Sequence, residues 1–217
     1  KDLLPAIATG QQIVSFAFTE PEYKWGPGAI KMQAASRNGN FVLNGTKLFV
    51  PWAHVADQIL VVARTSDGAS PEQGLTLMLV DKNQSGVSTR LLEGWIGDKM
   101  CEVNFNNVEV PAASVLGPVD GAWPAIEGAM DKATVILSAY MAGGAMSVYD
   151  RCKEYSQTRI AFGMPIGTFQ YVQGNVIIAL TEADSCHWTA YEALWRLDTG
   201  RDDARVGISM AKAVASD

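Results

Sequence analysis

The spacing of apolar residues changes period once along this chain, near residue 117, and a fold must accommodate both halves. Before the change, short runs follow the two-residue period of strands: residues 13–18 alternate, and residues 41–43 and 46–50 flank Asn44-Gly45. Asn-Gly between apolar runs predicts a hairpin turn there, because both residue types tolerate the positive φ of a type I′ turn. Residues 58–64, 75–81, 87–91 and 100–105 continue the series, punctuated by Gly, Asn, Asp and Pro. Residues 65–74 form one polar, turn-rich loop. Such closely spaced strands predict an antiparallel barrel or sandwich.

From Gly121 onward the period is helical. Ile126, Met130, Ala133, Leu137, Tyr140, Gly144 and Val148 recur at three- and four-residue steps, and a second series runs from Phe169 to Leu197. Residues 159–168, with Gly and Pro, separate the two. Gly200 suits a helix end, and Arg201-Asp202-Asp203 predicts a third helix opening on acidic residues. The small residues Ala139, Ala142, Gly143, Gly144 and Ala145 predict close approach by another helix. The fold class is therefore α+β and multi-domain: an antiparallel β-barrel or sandwich over residues 1–117, then part of an antiparallel helical bundle over residues 118–217. Three helices, the last unfinished, and an abrupt start at Lys1-Asp2 imply that both ends are cut.

Composition removes several function classes. A formal net charge of -6 argues against a nucleic-acid binder. The longest apolar stretch, residues 135–146, is broken by Ser138, Gly143 and Gly144, which predicts a buried helix rather than a membrane span. Cys101, Cys152 and Cys186 lack metal or redox spacing, so a reducing, cytoplasmic setting is expected. No phosphate loop, HExxH or Gly-x-Ser-x-Gly occurs. Of two histidines, His187 lies on an apolar helical face and is expected in a core, and His54 lies in a loop.

Five segments together resemble one family. Residues 16–21 (FAFTEP), 43–50 (LNGTKLFV), 105–111 with 115–117 (FNNVEVP and VLG), 159–170 (RIAFGMPIGTFQ) and 209–212 (SMAK) are similar, in order, to signatures of FAD-dependent acyl-CoA dehydrogenases. The resemblance implies that FAD lies between a β-domain and a helical bundle. Phe16, Phe18 and Thr19 would face the flavin ring, with Phe49, Val50 and Pro51 on the next strand. Arg159, Phe162 and Gln170 would hold the adenosine and pyrophosphate of FAD on a neighbouring subunit, the arginine through paired charge-assisted bonds. Trp25, Asp131 and Thr134 stand at substrate positions.

The family removes hydrogens from Cα and Cβ of an acyl-CoA thioester and passes electrons to an electron-transfer flavoprotein. The resemblance therefore implies fatty acid metabolism and a homodimer or homotetramer, because FAD sites are shared between subunits. It also exposes departures. One family position for the catalytic base lies beyond residue 217, and the other is Ala133, so this chain holds no catalytic carboxylate. Asp131 and Glu127 lie near that position. Trp25 replaces a frequent serine, Pro51 a threonine and Thr134 an arginine. The expected function is acyl-CoA dehydrogenation, the chain being a fragment without its base. The alternatives are a non-catalytic partner subunit, or a flavin oxidase or monooxygenase on the same fold.

Overall fold

The computed structural model describes residues 3–217, which divide into two compact units, the first running to Ala125 and the second over Ile126–Asp217. The first opens with α1 (Leu3–Ala8) and β1 (Val14–Ala17), then β2 (Gln33–Arg37), β3 (Asn40–Pro51), β4 (Gln58–Arg64), β5 (Leu75–Asp81), β6 (Val87–Leu92), β7 (Met100–Val110) and β8 (Val115–Leu116). The sheet runs in the order β6-β7-β3-β2-β4-β5-β8, with β1 added on β4. It forms no closed barrel. Nor is it wholly antiparallel. β1 runs parallel to the first half of β4, pairing Val14 with Gln58 through Ala17 with Val61, and β2 meets the end of β4 in parallel at Arg64. β4 and β5 are buried at nearly every position because both their faces are covered, which is why they lack alternation. Met32, Leu43, Val50, Ile59, Val61, Met78, Val103, Phe105 and Val108 belong to the continuous core.

The hairpin turn falls at Asn38-Gly39 rather than at Asn44-Gly45. Asn38 (φ 51°) and Gly39 (φ 80°) link Arg37 to its partner Asn40. Asn44 and Gly45 lie inside β3, opposite a bulge where β7 spends three steps, Val108 to Phe105, against two on β3. The Asn44 side chain accepts the Asn107 amide of that bulge at 2.9 Å. Gly45, at φ 149°, approaches Met32 so closely that a Cβ would sit 2.9 Å from Met32 Cγ. Gly45→Ala is therefore expected to cost about 1–3 kcal/mol through overpacking and backbone strain, read as a lowered urea midpoint. A second bulge lies on β3, between Lys47 and Val50, where Phe49 takes φ 53°.

The second unit contains most of α2 (Trp123–Thr158), a short hairpin of β9 (Ile160–Ala161) and β10 (Met164–Pro165), then α3 (Gln170–Asp198) and α4 (Ala204–Ser216). The first helical series is one 36-residue helix. Val135 packs with Ala193, Ile208 and Ala211, joining α2, α3 and α4. Residues 135–146 are not a buried helix: Val135, Ser138 and Ala142 are buried, but Ile136, Leu137 and Tyr140 are exposed. Only one narrow face meets α3 and α4. No helix approaches Gly143 or Gly144, whose surroundings are open among the described residues. α3 ends as expected, with Gly200 at φ 63°. α4 starts at Ala204 rather than Arg201, because Asp203 pairs with Arg196 and Arg201 instead of lying in a first turn. His187 is half-buried, its ring 4.5 Å from that of Tyr191. No helix among the described residues is long and apolar enough to cross a membrane.

Candidate functional site

The end of β1 and the bulged end of β3 lie side by side in the first unit. Ser15 donates its hydroxyl to the Pro51 carbonyl at 2.7 Å, and the Leu48 amide donates to the Thr19 carbonyl at 2.8 Å. Alternation sends Ala17 inward and leaves Phe16 more than a third exposed. Beyond β1 the chain leaves the ladder, so the Thr19 hydroxyl and amide have no hydrogen-bond partner among the described residues. Thr19 is half-buried, with two free donors on a fixed backbone.

Phe18 and Val50 do not present their side chains at this edge. Phe18 is buried, its ring 6.0 Å from Phe16 and 6.5 Å from Trp123, and Val50 is in the core. The bulge instead turns Phe49 outward, half exposed, with the Tyr23 ring 5.9 Å away. Pro51 supplies no N–H, and its carbonyl is already engaged by Ser15. Trp25 lies on the connecting loop and is strongly exposed. His54 stacks on Trp52, ring centroids 6.0 Å apart, and its Nδ1 lies 3.7 Å from Cys101 Sγ. The edge therefore offers exposed aromatic faces beside two free donors. That set suits a flat ring bearing acceptor atoms, such as a flavin.

Directly beneath Thr19 lies a pair that sequence inspection missed. Lys47, wholly buried, donates to Glu20 Oε1 at 2.8 Å and to the Phe18 carbonyl at 3.1 Å. The Glu20 carboxylate also accepts the Lys31 and Met32 amides, at 2.9 and 3.1 Å. Burial pushes the Lys47 ammonium below its ordinary value, and the Glu20 charge and hydrogen bond only partly restore it.

In the second unit, Arg205 of α4 reaches two carboxylates one turn apart on α2, Glu127 at 2.7 Å and Asp131 at 3.2 Å. The Glu127 hydrogen bond first, and then the two carboxylate charges, hold its guanidinium above the ordinary value. Both acids that neighbour Ala133 are thus engaged. Thr134 donates its hydroxyl to the Met130 carbonyl within the helix at 2.8 Å. On the β9–β10 hairpin, Phe162 (φ 54°) and Gly163 (φ 83°) form the turn, and Phe162 is almost fully exposed. Arg159 and Gln170 are exposed, and the Arg159 side chain has no partner among the described residues. Phe162 belongs to this hairpin and Arg159 is the residue before it, whereas Gln170 opens α3 after the turn at Ile166–Thr168.

Two family profiles match the chain: "Acyl-CoA dehydrogenase, middle domain" over residues 15–108 and "Acyl-CoA dehydrogenase, C-terminal domain" over residues 121–217. Solved structures agree. The acyl-CoA dehydrogenase from Geobacillus kaustophilus is 26% identical with a TM-score of 0.86, over 99% of this chain and 60% of that one. PigA, solved with FAD and proline, is 29% identical with a TM-score of 0.90, over 99% and 56%. Butyryl-CoA dehydrogenase from Megasphaera elsdenii shares the fold at 24% identity and a TM-score of 0.87, over 100% and 57%. The chain spans a little over half the length of these proteins.

Proposed function

Because the chain belongs to the acyl-CoA dehydrogenase family, we propose that it forms the FAD-holding part of an oxidoreductase that removes hydrogens from Cα and Cβ of an acyl thioester. The observation that carries this reading is Thr19, with a free hydroxyl and a free amide beside exposed Phe16 and Phe49. These groups would hold the flavin ring, Thr19 by hydrogen bonding and the aromatics by contact. Arg159, Phe162 and Gln170 would serve the adenosine and pyrophosphate of a neighbouring copy, so the working protein is a homodimer or homotetramer. FAD, when bound, supplies the hydride acceptor, and the protein must supply positioning and a base.

The family position on α2 would not supply that base. Ala133 cannot take a proton, and Arg205 occupies Glu127 and Asp131. A carboxylate outside residues 1–217 would remove the α-proton. Donors to the thioester oxygen would stabilise the developing enolate, acting most strongly in the transition state. In the first unit, exposed Trp25 would border the acyl group. A cytoplasmic protein of fatty acid metabolism, passing electrons to an electron-transfer flavoprotein, completes the reading. PigA has been solved with FAD and proline, which favours testing aminoacyl thioesters as well as fatty ones.

The test is the visible spectrum of the full-length protein under anaerobic conditions, before and after adding fatty acyl-CoAs and a prolyl thioester. Bleaching of the flavin band by one of them is the expected result and identifies the acyl class. A bound flavin that none of them bleaches would favour a non-catalytic subunit, in keeping with Ala133. Oxygen consumption during turnover would favour an oxidase or monooxygenase.

A further inference from the structure

We propose that Lys47 is a positioning residue for the cofactor: its ammonium holds the Phe18 carbonyl and the Glu20 carboxylate, one on each side of Thr19, and so fixes where the Thr19 donors lie. The proposal rests on the reading of this edge as the flavin site. Lys47 is the largest fully buried side chain in the structure, and a cation in that position needs a reason. A hydrophobic residue of similar length would fill the same space. It could not hold the Phe18 carbonyl (3.1 Å) on one side of Thr19 and the Glu20 carboxylate (2.8 Å) on the other.

The clamp is closed from two further directions. The Thr19 carbonyl accepts the Leu48 amide, from the residue next to Lys47, and Glu20 is fixed in turn by the Lys31 and Met32 amides. Phe18, Thr19 and Glu20 are therefore each tied to protein through acceptors, while the Thr19 hydroxyl and amide remain unused. Both hydrogen bonds of the Lys47 ammonium end on the two residues flanking that donor. The bulge at Phe49, two residues beyond Lys47, ties the same strand segment to the aromatic wall of the edge.

The experiment measures FAD dissociation constants and apoprotein melting temperatures for the full-length protein and its Lys47→Arg, Arg64→Lys, Thr19→Val and Thr19→Val/Lys47→Arg variants. Arg64 is a second buried cation of the same unit, bonded to other carbonyls, and controls for stability alone. Lys47→Arg is expected to weaken FAD binding at least about tenfold, and Arg64→Lys to leave it within about threefold while lowering the melting temperature comparably. In the Thr19→Val background the Lys47 effect should largely vanish, because two residues acting through one contact are non-additive. Wild-type affinity in Lys47→Arg, or additive effects in the double variant, would overturn the proposal. If Lys47→Arg does not fold, Glu20→Gln, which loosens the same clamp from its other end, takes its place with the same expectations. Full-length protein that binds no flavin at all would instead overturn the functional reading beneath it.

Discussion

Lys47→Met is expected to destabilise the first unit by about 3–5 kcal/mol, because it leaves the buried Glu20 carboxylate without its cation. The side chains match in length, so the loss is electrostatic rather than a cavity. Glu20 still accepts the Lys31 and Met32 amides, which keeps the variant from losing more. Adding Glu20→Gln to Lys47→Met removes the orphaned charge while retaining an acceptor. The double variant should therefore be more stable than the sum of the two single changes, with a coupling of about 1–3 kcal/mol. Urea titrations of the full-length protein and its variants, followed by tryptophan fluorescence, measure both quantities; additive losses would show that the pair is not coupled. The pH dependence has a definite sign. Burial lowers the folded-state value of Lys47 below its unfolded 10.5, so between the two the unfolded chain binds more protons and stability rises with pH. That contribution is complete above 10.5 and is lost as pH falls through the lowered value. The gap between wild type and Lys47→Met should change across this window.

The two-period pattern was enough to separate a sheet unit from a helical one, and it placed β4 and β5 at their observed limits. What it missed has physical causes. β2 buries only one of its five residues, so Gln33–Arg37 shows no alternation to detect. The two Asn-Gly dipeptides have the same local propensity, and tertiary structure chooses between them: Met32 and Asn107 seat Gly45 and Asn44 inside a strand, leaving the turn to Asn38-Gly39. At the candidate site, the signature residues were visible but not the direction of their side chains. Phe18 and Val50 turn into the core, a consequence of the end of β1 and of the β3 bulge, neither of which has a sequence marker. Glu20 and Lys47 stood within the quoted segments, but their pairing depends on bringing together residues 27 apart. A signal did exist in Lys47, a charge set directly before the apolar run Leu48-Phe49-Val50 of β3, but Glu20 lies outside any strand and gave none. Arg205 and Asp131 carried no such signal, being separated by most of α2 and all of α3.

Arg64→Met is expected to cost about 3 kcal/mol or more and to free the loop over residues 65–74. The Arg64 guanidinium, nearly buried, spreads its donors over four backbone carbonyls: Ile30 through Nε at 3.1 Å, Gln73 through Nη1 at 2.7 Å, and Pro27 and Pro71 through Nη2 at 3.2 and 3.1 Å. Those carbonyls belong to two separate loops, and β4 ends between them. Pro27 and Pro71 have no N–H of their own to anchor these loops to a strand, so the arginine fork does it through their oxygens. Lysine is expected to recover only part of the loss, since one ammonium cannot span four acceptors in a plane. The far end of the loop is held independently, by the Thr65 amide on the Gly74 carbonyl and the Gly74 amide on the Asp120 carbonyl. Release should therefore be partial, with new protease cleavage between residues 66 and 73 and the strands on either side intact. Limited proteolysis alongside urea titration separates the two effects. A variant within about 1 kcal/mol of wild type and equally resistant to protease would show that water satisfies these carbonyls as well as the arginine does.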